Sequence, residues 1–341
     1  MHSNKYEREQ KEITYTADDF KFEFETSKDF NWTRKRLLTT KDLQLEEVQL
    51  IIDTAKAFSE ILTRPVKKVP TLRGKVIINL FYENSTRTRS SFELAGRYLS
   101  ADVTNFSIST SSVKKGETLN DTAQTLIQMG ADAVVIRHSH SGIPFQLSQF
   151  LPENIALINA GDGSNEHPTQ ALLDLYTIKE VVNELKGKKI AIIGDVIHSR
   201  VARSNIWLLQ KFGVDIHLCG PPTLLPETFS EFNLKVHWNL SDAIKNSDII
   251  MVLRLQTERQ SKGLIPSSDE YNRLYGLDHN KIKIAKKEVK VLHPGPMNRG
   301  VEITSELADD PKYSLINKQV YNGVSVRMAL LYLLIFASSN K

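Results

Sequence analysis

The sequence is poor in cysteine. Cys219 is the 1 cysteine among its 341 residues. A disulfide framework and a cysteine zinc cluster within the chain are therefore excluded, and a reducing compartment fits best. Cys219 ends a strand-like run, so we predict that it is a buried structural thiol.

Long apolar runs and an excess of charge of one sign are also missing. The longest apolar run, residues 328–337, is shorter than the roughly 18 residues that a membrane span needs. The 44 basic and 40 acidic residues leave a net charge of +4, which does not predict nucleic-acid binding. We therefore expect no membrane and no nucleic-acid partner.

Neither of the common nucleotide-binding glycine patterns is present. No Gly-x-Gly-x-x-Gly follows a strand-like run, and no Gly-Lys-Ser/Thr phosphate loop occurs. The sequence therefore lacks the usual motifs of enzymes that bind dinucleotides or nucleoside triphosphates. Residues 1–31 lack the apolar core of a secretory signal and are too acidic for a typical transit peptide, so we expect a cytoplasmic protein, with an organelle stroma as the alternative.

Strand-like and helix-like segments alternate along the rest of the chain. The predicted strands are residues 76–82, 102–106, 133–136, 155–159, 189–193, 215–218, 249–253 and 289–292. The chain exceeds the usual size of one domain, so we predict an α/β fold of two doubly wound parallel-sheet domains joined by interdomain helices. Residues that carry chemistry should lie beyond the carboxyl ends of the strands.

The predicted domain limits follow from this alternation. Residues 1–31 form an unassigned N-terminal extension, 32–168 a first domain and 169–318 a second domain. Residues 319–341 should form a C-terminal helix that packs back on the first domain.

A polar cluster follows the first of these strands. Ser85 stands where a helix N-cap belongs, so Thr86, Arg87 and Thr88 would occupy the first helical turn, whose free N–H groups suit a phosphate. An ordinary capping box led by Ser85 is the alternative. Arg87 and Arg89 would oppose the helix dipole unless an anion offsets them, which favours the anion site.

Residues 81–89, Phe-Tyr-Glu-Asn-Ser-Thr-Arg-Thr-Arg, resemble the carbamoyl phosphate signature of the aspartate and ornithine carbamoyltransferases. The resemblance runs from about Trp32 to the C-terminus, and Glu83 resembles the aspartate branch. It implies that the first domain binds carbamoyl phosphate, that the second binds aspartate, and that no metal or organic cofactor is needed.

The resemblance also implies the catalytic set. Alone, His167 could merely cap a helix or fill space, but Arg137 and Gln170 are predicted beside it at neighbouring strand ends. The implied catalytic residues are Arg87, Thr88, Arg137, His167 and Gln170. Thr88, Arg137 and His167 would donate hydrogen bonds to the carbonyl oxygen.

Further implied contacts complete the carbamoyl phosphate site. Gln170 and the backbone carbonyls of Pro294 and Gly295 would hold the carbamoyl NH2 group. The carbamoyl phosphate residues implied are Ser85, Thr86, Arg87, Thr88, Arg137, His167, Gln170, Pro294 and Gly295, with Ser111 and Lys115 from a neighbouring subunit. A mobile surface segment is the alternative for the loop around Ser111.

Two arginines in the second domain suit a dicarboxylate. Either Arg200 or Arg254 alone would read as a solvated surface charge, but the pair fits bidentate binding of carboxylates. By resemblance, the aspartate-binding residues are Lys115, Arg200, Arg254 and Gln256. An ornithine-binding chain should instead have a His-Cys-Leu-Pro turn where this chain has residues 293–296, His-Pro-Gly-Pro.

The resemblance therefore implies transfer of a carbamoyl group from carbamoyl phosphate to the amino group of L-aspartate, the second step of de novo pyrimidine biosynthesis. The alternatives are a carbamoyltransferase with a related acceptor such as ornithine, and a non-catalytic phosphate-binding or assembly protein. The implied assembly is a homotrimer, or a multiple of trimers, with shared active sites. The sequence does not determine whether a regulatory or synthetase partner binds.

Overall fold

The computed structural model describes residues 32–107, 118–256 and 264–337. The N-terminal extension of residues 1–31, Ser111 and Lys115 lie outside the described residues. What we predict for them stays a prediction.

Strands and helices alternate through the described chain. The first half contains β1 (Arg36–Leu37), α1 (Leu45–Leu62), β2 (Val76–Phe81), α2 (Thr86–Tyr98), β3 (Asp102–Ser107), α3 (Leu119–Gln128), β4 (Ala133–His138), α4 (Ile143–Ser148), β5 (Ala156–Asp162) and α5 (Pro168–Lys179). The second half contains β6 (Lys189–Ile193), α6 (Arg200–Gln210), β7 (Asp215–Cys219), β8 (Lys235–His237), α7 (Leu240–Ile244), β9 (Ile249–Val252), α8 (Ser268–Tyr275), β10 (Lys290–Leu292), α9 (Ser305–Asp309) and α10 (Ile316–Tyr332).

These strands form two separate five-stranded sheets. The first has the order β1-β5-β4-β2-β3 and the second β10-β9-β6-β7-β8. Every neighbouring pair in both sheets is parallel. The predicted α/β fold of two doubly wound parallel sheets is confirmed.

Each sheet has one point where the chain reverses its direction of winding. In the first sheet that point lies between β2 and β4, and in the second between β6 and β9. Loops after neighbouring strands diverge there and leave a crevice that commonly binds ligands. The polar cluster that starts α2 follows β2, Arg137 ends β4, Arg200 starts α6 after β6, and Arg254 follows β9.

The strands are apolar because both faces of each sheet are covered. Ile77 and Ile78 of β2 point to opposite faces, and both are buried, as are Val134 and Val135 of β4. Such continuous runs made these strands predictable. β1 and β8 were not predicted, because they have only two and three residues and neither is a continuous buried run.

Two helices join the sheets. α10 packs against α1, α2 and α5, while α5 also packs against α6. By length and composition residues 316–336 could cross a membrane, but 72% of the apolar window is buried inside the protein, as in a core helix. The exact domain limits at residues 168 and 318 stay predictions.

Cys219 lies at the end of β7 and is buried. Burial raises the pKa of its thiol to about 12. The thiol therefore stays protonated and unreactive at neutral pH, which confirms the predicted buried structural cysteine.

Candidate active site

The N-terminus of α2 is built as predicted, with Ser85 at the N-cap position. The Ser85 side chain makes no capping hydrogen bond, so the alternative of an ordinary capping box is wrong for this helix. Thr88 is buried, whereas Thr86 and Arg87 are exposed. An exposed first turn with a free hydroxyl and a cation is the arrangement that an anion would stabilise.

Arg87 lies against the turn of residues 293–296, more than 200 positions later in the chain. Gly295 has a φ of +63°, and a Cβ built on it would lie 3.0 Å from Cζ and 3.0 Å from Nη1 of Arg87. A side chain at this position would crowd the guanidinium, and the positive φ favours glycine. The fold thus brings Gly295 and the first turn of α2 together.

The 293–296 turn presents hydrogen-bond acceptors. Its two prolines carry no N–H group, and the Gly295 N–H donates to Nδ1 of His293 at 2.8 Å. Nδ1 therefore accepts, and the His293 proton lies on Nε2, 3.2 Å from Oε1 of Glu302. With the N–H groups of residues 294–296 used or missing, carbonyl oxygens remain to meet an NH2 group.

One carboxylate joins arginines from both sheets. Oε1 of Glu83 lies 2.7 Å from Nε of Arg137 and accepts a hydrogen bond from Nη2 of Arg200. The three side chains are largely buried, which strengthens the attraction between the charges. Two guanidinium charges against one carboxylate leave this cluster positive, as an anionic substrate requires.

Gly161, at the end of β5, makes room for both guanidinium groups. Its φ is +116°, and a Cβ there would lie 3.2 Å from Nη1 of Arg137 and 3.1 Å from Nε of Arg200. Arg137 is also held by a 3.1 Å hydrogen bond from Nη1 to the Ala160 carbonyl. Both guanidinium groups therefore lie against the same glycine.

His167 is buried beside Arg137, and its Nε2 lies 3.4 Å from Nη1. Burial, reinforced by the charges of Arg137, Arg200 and Arg327, holds the pKa of His167 well below its ordinary value. The imidazole is therefore neutral at physiological pH. A guanidinium N–H only donates, so Nε2 accepts in this arrangement, and the predicted donation to a carbonyl oxygen requires the proton on Nε2.

Glu166 positions His167 and was not identified from the sequence. Its Oε2 accepts hydrogen bonds from the Thr40 N–H and the Ser204 hydroxyl, each at 2.9 Å. The same Ser204 oxygen accepts the His167 N–H at 2.8 Å. An acidic residue beside a histidine at a buried strand end was the signal available in the sequence.

Gln170 lies one helical turn into α5, and its backbone N–H donates to the His167 carbonyl at 3.0 Å. Its side-chain Nε2 donates to Oδ1 of Asp174 at 2.9 Å. The carbonyl oxygen of the Gln170 amide is therefore the end turned away from Asp174, as the predicted contact with an NH2 group requires.

The residues predicted to bind aspartate lie on neighbouring loops of the second sheet. Arg200 is buried at the start of α6, and Arg254 is half-buried two residues after β9. Nε2 of Gln256 donates to the His198 carbonyl at 3.2 Å, which ties the Arg254 loop to the loop before Arg200. The fold thus places both arginines at the switch point of the second sheet.

The fold brings several of the residues predicted from the sequence close together. Arg137, His167 and Arg200 are joined through short contacts and Glu83, and Arg87 meets Gly295. Arg254 and Gln256 lie at the adjoining loop. The catalytic and binding roles of all these residues stay predictions. Glu83 and Glu166 complete the cluster. Within the ranges that the structure describes, no three His, Cys, Asp or Glu side chains form a group that could hold a metal ion.

Two family models match the chain. The "Aspartate/ornithine carbamoyltransferase, carbamoyl-P binding domain" matches residues 35–180, and the "Aspartate/ornithine carbamoyltransferase, Asp/Orn binding domain" matches residues 186–334.

Curated relatives and solved structures are similar over nearly the whole chain. The aspartate carbamoyltransferase catalytic subunit of Syntrophomonas wolfei subsp. wolfei is 56% identical, over 88% of this chain and 96% of the relative. An aspartate transcarbamoylase structure from Trypanosoma cruzi in complex with carbamoyl aspartate and phosphate has a TM-score of 0.79 at 29% identity, covering 88% of this chain and 96% of that one. The ornithine carbamoyltransferase of Pyrococcus furiosus has a TM-score of 0.77 at 26% identity, covering 90% and 98%. With two family models that together match most of its length, the chain belongs to the aspartate/ornithine carbamoyltransferase family.

Proposed function

We propose that this protein is an aspartate carbamoyltransferase, which transfers the carbamoyl group of carbamoyl phosphate to the amino group of L-aspartate. The products are N-carbamoyl-L-aspartate and phosphate, and the reaction is the second step of de novo pyrimidine biosynthesis. The observation that carries the proposal is the Glu83 carboxylate, which joins Arg137 at the switch point of the first sheet to Arg200 at the switch point of the second. The first switch point supplies a phosphate-binding helix N-terminus with Arg87, and the second supplies Arg200 and Arg254 for carboxylates.

Carbamoyl phosphate binds first. The phosphate lies at the first turn of α2, where backbone N–H groups, hydroxyls and Arg87 offset its charge. The carbonyl oxygen meets Thr88, Arg137 and His167. The carbamoyl NH2 meets the acceptors of Gln170 and of the 293–296 turn, so each polar group of the substrate has a partner.

Aspartate then binds at the second sheet, with its carboxylates on Arg200 and Arg254. Its amine, in the neutral form, forms a C–N bond to the carbamoyl carbon as the C–O bond to phosphate breaks. The proton that the nitrogen loses passes to the departing phosphate. Charge that develops on the carbonyl oxygen is stabilised by the Thr88 hydroxyl and the Arg137 guanidinium, and by His167 in the tautomer that carries the proton on Nε2. Catalysis is therefore positioning plus electrostatic stabilisation, with closure of the two domains excluding water.

A coupled assay tests the function. The protein is incubated with carbamoyl phosphate and a panel of amino acids, and both phosphate and the carbamoylated product are measured. Aspartate should give equal amounts of N-carbamoyl-aspartate and phosphate, while ornithine should give no product above the control without acceptor, because its cationic side chain is repelled by Arg200 and Arg254. Preferred use of ornithine would identify the related acceptor branch. Binding of carbamoyl phosphate without product from any acceptor would identify a non-catalytic protein.

The active assembly in this proposal is a homotrimer, or a multiple of trimers, in the cytoplasm, with an organelle stroma as the alternative compartment. Ser111 and Lys115 lie outside the described residues. The resemblance to the family implies that they reach into the active site of a neighbouring subunit. Each site then needs Lys115 from one chain and Arg254 from another. A monomer would be inactive.

Mixing two inactive variants tests this sharing. Lys115→Ala and Arg254→Ala homo-oligomers should each be nearly inactive, and the Arg254 variant should lose apparent aspartate affinity far more than carbamoyl phosphate affinity. After the two are unfolded together and reassembled, random assembly leaves about a quarter of the sites intact. Activity should reappear at that fraction, with wild-type affinity for both substrates.

A matched mixture controls for reassembly. Arg87→Ala and Arg254→Ala both affect the same chain's site, so reassembly of their mixture should give no more activity than the average of the two variants alone. If the Lys115 and Arg254 mixture also stays inactive although mixed trimers are shown to form, Lys115 does not act across the interface.

A further inference from the structure

Helix α5 is buried along most of its length and carries one carboxylate. Asp174 is fully buried, and its carboxylate accepts hydrogen bonds from three amide side chains on three helices. Oδ1 accepts from Nε2 of Gln170 at 2.9 Å and from Nε2 of Gln319 at 2.7 Å. Oδ2 accepts from Nδ2 of Asn205 at 2.9 Å. The donors therefore come from α5, α10 and α6.

A carboxylate only accepts, so it fixes which end of each amide faces it. The NH2 groups of Gln170 and Gln319 must point to Asp174, and their carbonyl oxygens must point elsewhere. Oε1 of Gln319 accepts the His293 N–H at 2.9 Å, at the start of the 293–296 turn. One buried carboxylate thus orients Gln170 directly and the 293–296 turn through Gln319.

We propose that Asp174 is a positioning residue that holds the Gln170 carbonyl oxygen and the carbonyls of Pro294 and Gly295 in line as acceptors for the carbamoyl NH2 group. Through them it makes the site select a phosphate donor that bears NH2 over one that bears a methyl group. This inference rests on the proposed function, and it adds a residue that does not touch the substrate.

The surroundings of Asp174 favour this role over a charge-pairing role. Its hydrogen-bond partners are the neutral amides of Gln170, Asn205 and Gln319. The nearby cation, Arg327 of α10, is instead hydrogen-bonded to the Ser91 hydroxyl at 2.9 Å and the Gly323 carbonyl at 3.1 Å, and acts on Asp174 only through its field. A carboxylate surrounded by amides orients them, because each amide has a donor end and an acceptor end.

Protonation of Asp174 should weaken the orientation. Burial raises the pKa of Asp174 to about 6, and the three amide hydrogen bonds and Arg327 oppose that rise. Below that pH the carboxyl group gains an O–H donor and can no longer accept from all three NH2 groups. Selectivity for the NH2-bearing donor should therefore fall as the pH falls through about 6.

The test compares carbamoyl phosphate with acetyl phosphate, which has a methyl group in place of NH2. With aspartate as acceptor, the KM for carbamoyl phosphate and the competitive inhibition constant of acetyl phosphate are measured for the wild type and for Asp174→Ala. The ratio of the two constants should move toward unity by about tenfold in the variant. Gln170→Ala should move it similarly, and the double variant should add little, because both changes remove the same acceptor.

A matched variant separates orientation from packing. Thr177 is buried one turn further along α5, and its hydroxyl donates to the Leu173 carbonyl at 2.7 Å. Thr177→Val should lower thermal stability yet leave the ratio unchanged. In the wild type the ratio should move toward unity as the pH is lowered through about 6, and in Asp174→Ala it should not depend on pH in this range.

The outcomes separate a failure of this inference from a failure of the proposed function on which it rests. Wild-type formation of N-carbamoyl-aspartate tests the proposed function alone. If the wild type is active but Asp174→Ala weakens both phosphate donors equally, or leaves the ratio unchanged, Asp174 only supports helix packing and the inference is wrong. If the wild type makes no product, the proposed function fails, and direct binding of the two phosphates still measures the ratio.

Discussion

Arg87→Ala should lower kcat/KM for carbamoyl phosphate by at least about thirtyfold, the equivalent of about 2 kcal/mol of transition-state stabilisation. The side chain is exposed at the first turn of α2, where the helix dipole favours an anion, and its guanidinium lies against Gly295. Removing it deletes a charge-assisted contact to phosphate oxygens. Steady-state kinetics with carbamoyl phosphate varied at saturating aspartate would measure the loss.

Arg97→Ala is the matched control for this change. Arg97 lies in the last turn of the same helix, is largely exposed and pairs with Glu93 at 2.7 Å. Its removal should leave the kinetics within about twofold, since exposed pairs contribute little. An unchanged rate and Michaelis constant in Arg87→Ala would rule out the anion site at the α2 N-terminus.

Arg137→Ala should reduce kcat on the order of a hundredfold to a thousandfold, the loss expected when a donor to a developing oxyanion is removed. The substitution also frees Oε1 of Glu83 from its 2.7 Å contact with Nε of Arg137, and it removes the group that faces His167. Measurement of kcat at saturating concentrations of both substrates would show the effect.

Arg137→Lys tests the geometry behind that prediction. Lysine keeps the charge but lacks the planar fork that reaches Glu83 and the Ala160 carbonyl together. We expect Arg137→Lys to lose less kcat than Arg137→Ala. Its thermal unfolding midpoint should lie between those of the alanine variant and the wild type. A rise in the aspartate KM with unchanged kcat in both variants would contradict a role at the carbonyl oxygen.

The sequence alone determined the class of fold and the side chains that form the first turn of α2. Buried parallel strands must be apolar on both faces, so β2 and β4 are continuous runs that stand out from the alternating helices. The N-terminal turn is equally local, because the cap at Ser85 and the hydroxyl and guanidinium groups after it occupy consecutive positions. Patterns of this kind need no knowledge of distant residues.

The tertiary structure decided which distant side chains share a partner. Glu83 joins Arg137 to Arg200, Gly295 admits Arg87, and Asp174 receives Gln319 from 145 positions away. In the sequence these acidic residues could equally have been surface charges, since their partners are set by the crossing of helices and the order of strands. Burial is the physical reason: a carboxylate inside the fold must have donors, and only the packed chain determines which donors reach it.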